Sequence, residues 1–317
     1  MPANAASGSS CTINLLQPSP LGPPTKVPCH EYKHETSIDP TNGAIQETVT
    51  IESEQASRFE IVLDLKPTTY SSIRGPPNQP DLTTTNESQL QLPFDYIVNL
   101  ILDGIHVGVY KQTKYAWNLP VYLDKLFSRD CSTVQSYQFA NINLVDPDDY
   151  RDSTNPADRI CEDERVIKSL GTIQLDITRC VFDYRPIPPT NNGVLPSSTN
   201  QMKFSERSKK ARLSTTAGLT ESSSSGLPTP AGELYAKALD PAPFLRFLFQ
   251  YKPRVILETE GTITRPAVEV DADPAKEVRP KVKNENNKRV KTEGGNEKAP
   301  KKKPKIIDLT SSGDESS

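Results

Sequence analysis

Residues 96–111 read YIVNLILDGIHVGVYK: two runs dense in Val, Ile and Leu, with Asp103-Gly104 between them. A two-residue hairpin loop of type I′ needs φ > 0 at both central positions, and Asp-Gly meets that need at little cost. The flanking runs are apolar enough to be central strands, so this stretch commits the chain to an antiparallel sheet with a buried face. Neighbouring segments repeat the pattern. RFEIVLDLK (58–66) places Phe59, Ile61, Leu63 and Leu65 on one face, and TVTIES (48–53) is strand-like. QSYQFANINLVD follows, and GTIQLDITRCVFDY sets Ile173, Leu175 and Ile177 against Gln174, Asp176 and Thr178. EDERVIKSL (162–170) reads as a short helical turn or a loop, and PPNQPDLTTTNESQ as a loop.

Several short strands with turns between them and few helical stretches predict a mainly β fold, a single antiparallel β-sandwich-like domain with a short C-terminal helix. The 317 residues include 29 prolines and only 34% hydrophobic residues, which implies long segments unable to offset chain entropy by burial. Residues 1–25, rich in Ser, Pro and Gly, are expected to be disordered, and 26–185 to form the β-rich domain. Residues 186–230 (PIPPTNNGVLPSSTNQ, SERSKKARLSTT, ESSSSGLPTPAG) read as a disordered basic linker. Residues 231–266 return to order: APFLRFLFQYK is a strand with Leu245, Phe247, Phe249 and Tyr251 on one side, and Pro253 suits the first turn of a helix that Gly261 ends. From 267 to 317 the chain is charged and nearly free of aromatics, a composition that predicts disorder.

No secretory leader is recognisable at the start, and no apolar run approaches membrane-spanning length. Five cysteines with irregular spacing and no CxxC pair are expected to be reduced.

Three segments carry a resemblance: YQFANINLVDPDD, GTIQLDITRC and FLRFLFQYKPRVILETEGTITR, supported by IESEQASRFEIVL. Together they resemble an uncharacterised domain family of mushroom-forming fungi (basidiomycetes). Its pattern is a strand running into acidic residues, a Gly-Thr-Ile strand, and a late F-x-F-x-Y-[RK]-x-R element leading to a Gly-Ile-Ile-Pro. Here Pro253 stands where serine is commoner, and Thr262-Ile263-Thr264 replaces Ile-Ile-Pro. The resemblance implies a fold and assigns no activity.

Chemistry-bearing clusters are sparse. Cys29, His30 and His34 sit together in CHEYKHE with Glu31 and Glu35, without the second ligand pair of a zinc signature, and read as a surface cluster. His106 reads as an outward-facing strand residue. The acidic VDPDDYRD (145–152) lacks the glycine and closing glutamate of a calcium loop and reads as a solvated turn. Trp117 is the only tryptophan and reads as a packing residue. With no nucleophile elbow, phosphate loop or zincin motif, the expectation is a non-enzymatic protein with no cofactor and no metal.

The strongest functional signal lies in the tail. Residues 276–305 hold twelve lysines and arginines against four acidic residues. Lys288 and Arg289, then Lys301, Lys302 and Lys303, form a two-part basic array, and Lys209, Lys210 and Arg212 form another in the linker. Such runs suit the acidic grooves of a nuclear import receptor, and predict a nuclear location. They also permit weak, sequence-blind contact with nucleic acid, which is the alternative: a nucleic-acid-associated protein anchored by its tail. VKNE and VKTE place Lys283 and Lys291 in a setting similar to that read by the SUMO-conjugating enzyme.

The terminal KIIDLTSSGDESS resembles a SUMO-interacting motif: Ile306, Ile307, Asp308, Leu309 and Thr310, followed by Asp314 and Glu315. Such a segment binds by adding an edge strand to its receiver, its apolar side chains entering a groove and its acidic residues facing a basic rim. Ser311 and Ser312, each three residues before an acidic one, are phosphorylation candidates that would add charge opposite that rim. The expected partners are SUMO or sumoylated proteins.

Overall fold

The computed structural model describes residues 1–20, 22–66, 68–74, 94–116, 119–150, 159–186, 195–207 and 214–264, with the backbone only at 149–150. Expectations for residues 267–317, for Lys209, Lys210 and Arg212, for Trp117 and for the loop at 76–89 lie outside the described residues.

In chain order the strands are β1 (Ser10–Gln17), β2 (Thr25–Pro28), β3 (Glu31–Ile38), β4 (Ile45–Ser53) and β5 (Arg58–Asp64), followed by helix α1 (Thr69–Arg74). Next come β6 (Asp95–Leu102), β7 (Ile105–Gln112), β8 (Val121–Leu123), β9 (Lys125–Phe127), β10 (Thr133–Asn141), β11 (Asn143–Val145) and helix α2 (Glu164–Ser169). The remainder is β12 (Thr172–Pro186), β13 (Lys203–Ser205), β14 (Thr215–Leu219), β15 (Ser223–Ser224), β16 (Gly232–Ala238), β17 (Leu245–Pro253) and helix α3 (Arg254–Thr259).

Two sheets pack face to face, as the alternating pattern requires. The first runs β14-β10-β5-β1-β2, with β8 beside β5 and with β9 and β15 beside β10; the second runs β3-β4-β17-β12-β6-β7, with β16 beside β12. Their inner faces merge into one core. Ile13, Phe59, Ile61 and Phe139 come from the first sheet, and Val49, Leu100, Ile173, Leu175, Phe247 and Phe249 from the second. Phe139 packs on Phe59 at 4.6 Å and on Tyr251 at 5.0 Å between ring centroids, so the aromatic contacts cross the interface. The Asp103-Gly104 turn has φ of +49° and +80°, as the hairpin reading required. Helix α2 settles the ambiguous 162–170 segment as a helix, capped by the Asp163 carboxylate accepting from Arg165 N.

The late strand β17 enters the middle of the second sheet. It pairs antiparallel with β12 and, over nine residues, parallel with β4, joining segments about two hundred residues apart (Leu245 opposite Ile45, Pro253 opposite Ser53). A parallel pair needs a long connection, which the intervening chain supplies. Strands β16 and β17 both line the edge of β12 opposite β6, interrupted by a six-residue excursion at 239–244.

Two expectations of disorder are corrected. Within residues 1–25, β1 lies between β5 and β2, and Cys11 and Ile13 are fully buried. The alternation Cys11, Ile13, Leu15 was present in the sequence but short, and flanked by Ser and Pro. Within 186–230, Phe204, Thr215, Thr216, Ala217 and Leu219 are buried. A segment this rich in Ser and Thr can be interior because its hydroxyls find partners: Ser198 Oγ accepts from Leu219 N at 2.8 Å and Thr216 Oγ1 donates to Asn200 Oδ1 at 2.8 Å.

Candidate functional site

Among the described residues, Asp103 has the most heavily bonded side chain. Its place in the turn points the carboxylate inward, where it is fully buried. Oδ1 accepts from Gly171 N at 2.8 Å, Thr172 N at 3.1 Å and the Tyr251 hydroxyl at 2.7 Å. Oδ2 accepts from Thr199 Oγ1 at 3.0 Å, Ala217 N at 2.9 Å and the same hydroxyl at 2.8 Å. One carboxylate thereby ties the β6–β7 turn to the start of β12, to β17, and to β14 of the other sheet. Burial pushes the Asp103 carboxyl up to about 6, while the Tyr251, Ala217, Thr199 and Thr172 hydrogen bonds pull it down. Gly104 is required twice over. Its φ is positive, and a Cβ there would lie 2.9 Å from the Ser169 Cβ and 3.2 Å from the Arg165 carbonyl oxygen. With no exposure and every lone pair engaged, Asp103 can hold segments together and has no access to a substrate.

Among the described residues, those that the sequence singled out are not gathered into one site. Cys29 turns into the core, where burial and then the nearby Glu31 raise its thiol to about 12, while His30 and His34 are exposed. His34 Nε2 approaches Glu31 at 3.5 Å. His106 is exposed on β7, 3.3 Å from Asn99 Oδ1. Asp146 and Asp148 of the acidic turn are bridged by Arg207, 3.7 and 2.6 Å away. Among the described residues no group of three or more His, Cys, Asp or Glu side chains is placed to hold a metal ion. All five cysteines are free thiols.

An accessible site that sequence reasoning missed lies where the first sheet forks. Strands β5 and β10 pair at a single point, Arg58 opposite Gln138. They then part, β5 taking β8 as its neighbour and β10 taking β9. A groove of about 760 Å³ opens beside the fork. Its walls are the end of β1 and the β1–β2 connection (Gln17, Pro18, Ser19, Pro24), the β4–β5 turn with the start of β5 (Glu54, Ala56, Ser57, Arg58), Asp124 between β8 and β9, Lys125 at the start of β9, and Ser136 of β10. Lys125 is engaged with Asp124 at 3.5 Å. Arg58 is exposed, and its guanidinium has no partner among the described residues. Nothing in RFEIVLDLK could have shown this, because it depends on where β1 and β10 lie.

A family model, the domain of unknown function DUF7918, matches residues 82–266. Comparison with curated proteins and with solved structures gave no match. The matched span runs from just before β6 to just past α3, and so contains the Asp103 clasp, most of the second sheet and β10. It is more than half of the chain, which therefore belongs to the DUF7918 family.

Proposed function

We propose that this is a non-enzymatic nuclear binding or scaffold protein, with a β-sandwich domain and a tail that binds SUMO by β-augmentation. Sumoylation of the tail itself, and the fungal setting suggested by the strand motifs, belong to the same reading. One observation carries it: Ile306-Ile307-Asp308-Leu309-Thr310 is followed, after Ser311-Ser312-Gly313, by Asp314 and Glu315, in a stretch otherwise made of Lys, Pro, Ser and Gly. Each of the three aliphatic side chains contributes about 1.5–3 kcal/mol on entering an apolar groove, against an ordering cost of about 2–5 kcal/mol for the segment. Lys283 and Lys291 stand about twenty residues upstream, close enough for a bound conjugating enzyme to reach them at high effective concentration. The basic residues between 276 and 305 support nuclear import.

The nucleic-acid alternative differs in which residues matter. The test titrates isotope-labelled SUMO with the full-length chain and with its Ile306→Ala/Ile307→Ala variant. Saturable shifts along one sheet edge of SUMO, lost in the variant, are expected. Equal responses from both chains, or none from either, overturn the proposal. DNA retention that collapses with salt and ignores the isoleucines supports the alternative instead.

A further inference from the structure

Arginines in this domain are nearly all engaged. Arg246 is shared by Asp176 and Asp39 at 2.7 and 2.6 Å, and Arg179 lies 2.9 Å from Asp240 with its guanidinium 4.0 Å over the Tyr70 ring. Arg129, Arg165, Arg185, Arg207 and Arg254 each meet a carboxylate, and Arg74 donates to the Gly43 carbonyl. Arg58 and Arg159 are the two described arginines left without a side-chain partner. Arg159 stands beside a stretch outside the described residues, whereas Arg58 lines the groove.

The position of Arg58 is rigid. Its backbone pairs with Leu16 of β1 on one side and with Gln138 of β10 on the other, so the side chain leaves from the vertex of the fork. The surroundings set the kind of ligand. Ser19, Ser57 and Ser136 offer hydroxyls, while Leu16, Pro18, Pro24 and Ala56 offer apolar wall. Glu54 lines the same groove and opposes a second negative charge, while Lys125 and Asp124 neutralise each other. The volume of about 760 Å³ is that of an ordinary small-molecule pocket.

We propose that this groove binds a small organic acid with a single carboxylate and an uncharged body, the carboxylate held by the free fork of the Arg58 guanidinium. A planar guanidinium accepts a carboxylate through two parallel N–H···O bonds. Glu54 in the lining selects against phosphate and dicarboxylates. The inference stands apart from the SUMO reading, since it uses no residue of the tail.

The test uses the full-length chain, labelled with nitrogen-15, and hexanoate as the probe, with hexanamide and inorganic phosphate as comparators. Hexanoate is expected to shift the Ser57, Arg58 and Ser136 amides and the Arg58 Nε–H saturably, while hexanamide does not. Arg58→Gln weakens binding about 10-fold or more, since a hydrogen bond to a charged group is worth about 1.5–3 kcal/mol. Arg58→Lys falls between, and Arg159→Gln changes nothing. Hexanoate shifts that persist in Arg58→Gln, a phosphate response at Arg58 stronger than the hexanoate response, or the absence of any saturable shift at these amides would each overturn the assignment.

Discussion

Asp103 and Arg58 are charged residues of one small sandwich, and they sit at opposite extremes of hydrogen-bond satisfaction. The carboxylate is fully buried and takes six contacts from five donors. The guanidinium is exposed and donates to none of the described residues. A buried charge survives only if the fold supplies what water would have given, so its donors are spread over distant segments and it becomes a clasp. A surface charge faces no such demand, so its freedom in a groove is open to a ligand. Satisfaction marks structure here, and the unpaired guanidinium is what the carboxylate proposal rests on.

The largest test of that contrast is Asp103→Asn. Each carboxylate oxygen accepts a backbone N–H, from Gly171 and Thr172 on one side and from Ala217 on the other. An amide nitrogen has no lone pair for either, so one rotamer opposes Ala217 and the other opposes the Gly171–Thr172 pair. The expected loss is about 3 kcal/mol or more, from at least one stranded buried donor plus the lost charge-assisted bonds. A urea midpoint unchanged from the parent chain would show that the clasp is decorative.

The second test is pH. The Asp103 carboxyl titrates near 6 in the folded domain against an ordinary value of 3.8, so between those limits the folded state keeps a proton that the unfolded chain has released. Stability from this group is therefore complete below about 3.8 and lost as pH rises through about 6, a change of about 3 kcal/mol at about 1.4 kcal/mol per pH unit. A protonated carboxyl keeps lone pairs for the backbone N–H groups and offers its one hydrogen to the Tyr251 or Thr199 oxygen, so acid does not break the clasp. Asp39 titrates below 3.8, chiefly through its hydrogen bonds from Thr41, and its opposite slope falls below this window. Denaturation midpoints from pH 4 to 7 should show the decline in the parent chain and lack it in Asp103→Asn.

Much of the β-domain was legible in the sequence because its signals were local. The hairpin turn, the alternation in β5, β12 and β17, and the α3 segment opening after Pro253 each announce themselves within about ten residues. What escaped was carried by contacts between distant positions. DG named a turn, but nothing in it told that the Asp would reach Tyr251, 148 residues on. β17 was recognisable as a strand, yet its parallel seat beside β4 could not be read from its own residues. The interior Ser198, Thr199, Thr215 and Thr216 resembled a linker because their partners are equally polar. Arg58 looked like any strand-entering arginine until the fork around it was known. The tail motif is the reverse case: wholly local, and legible without a fold.

The smallest expected effect is the sharpest form of the contrast. Arg58→Gln removes a full charge from the middle of the first sheet, yet stability should move by no more than about 0.5 kcal/mol, because an exposed side chain with no partner among the described residues contributes almost nothing to the folded state. Arg246, only partly exposed and held by two carboxylates, is the matched control: Arg246→Gln strands Asp176 and Asp39 and should cost clearly more. If Arg58→Gln proves as damaging as Arg246→Gln in the same urea titration, Arg58 has a structural partner in solution, and its freedom to receive a carboxylate falls with that result.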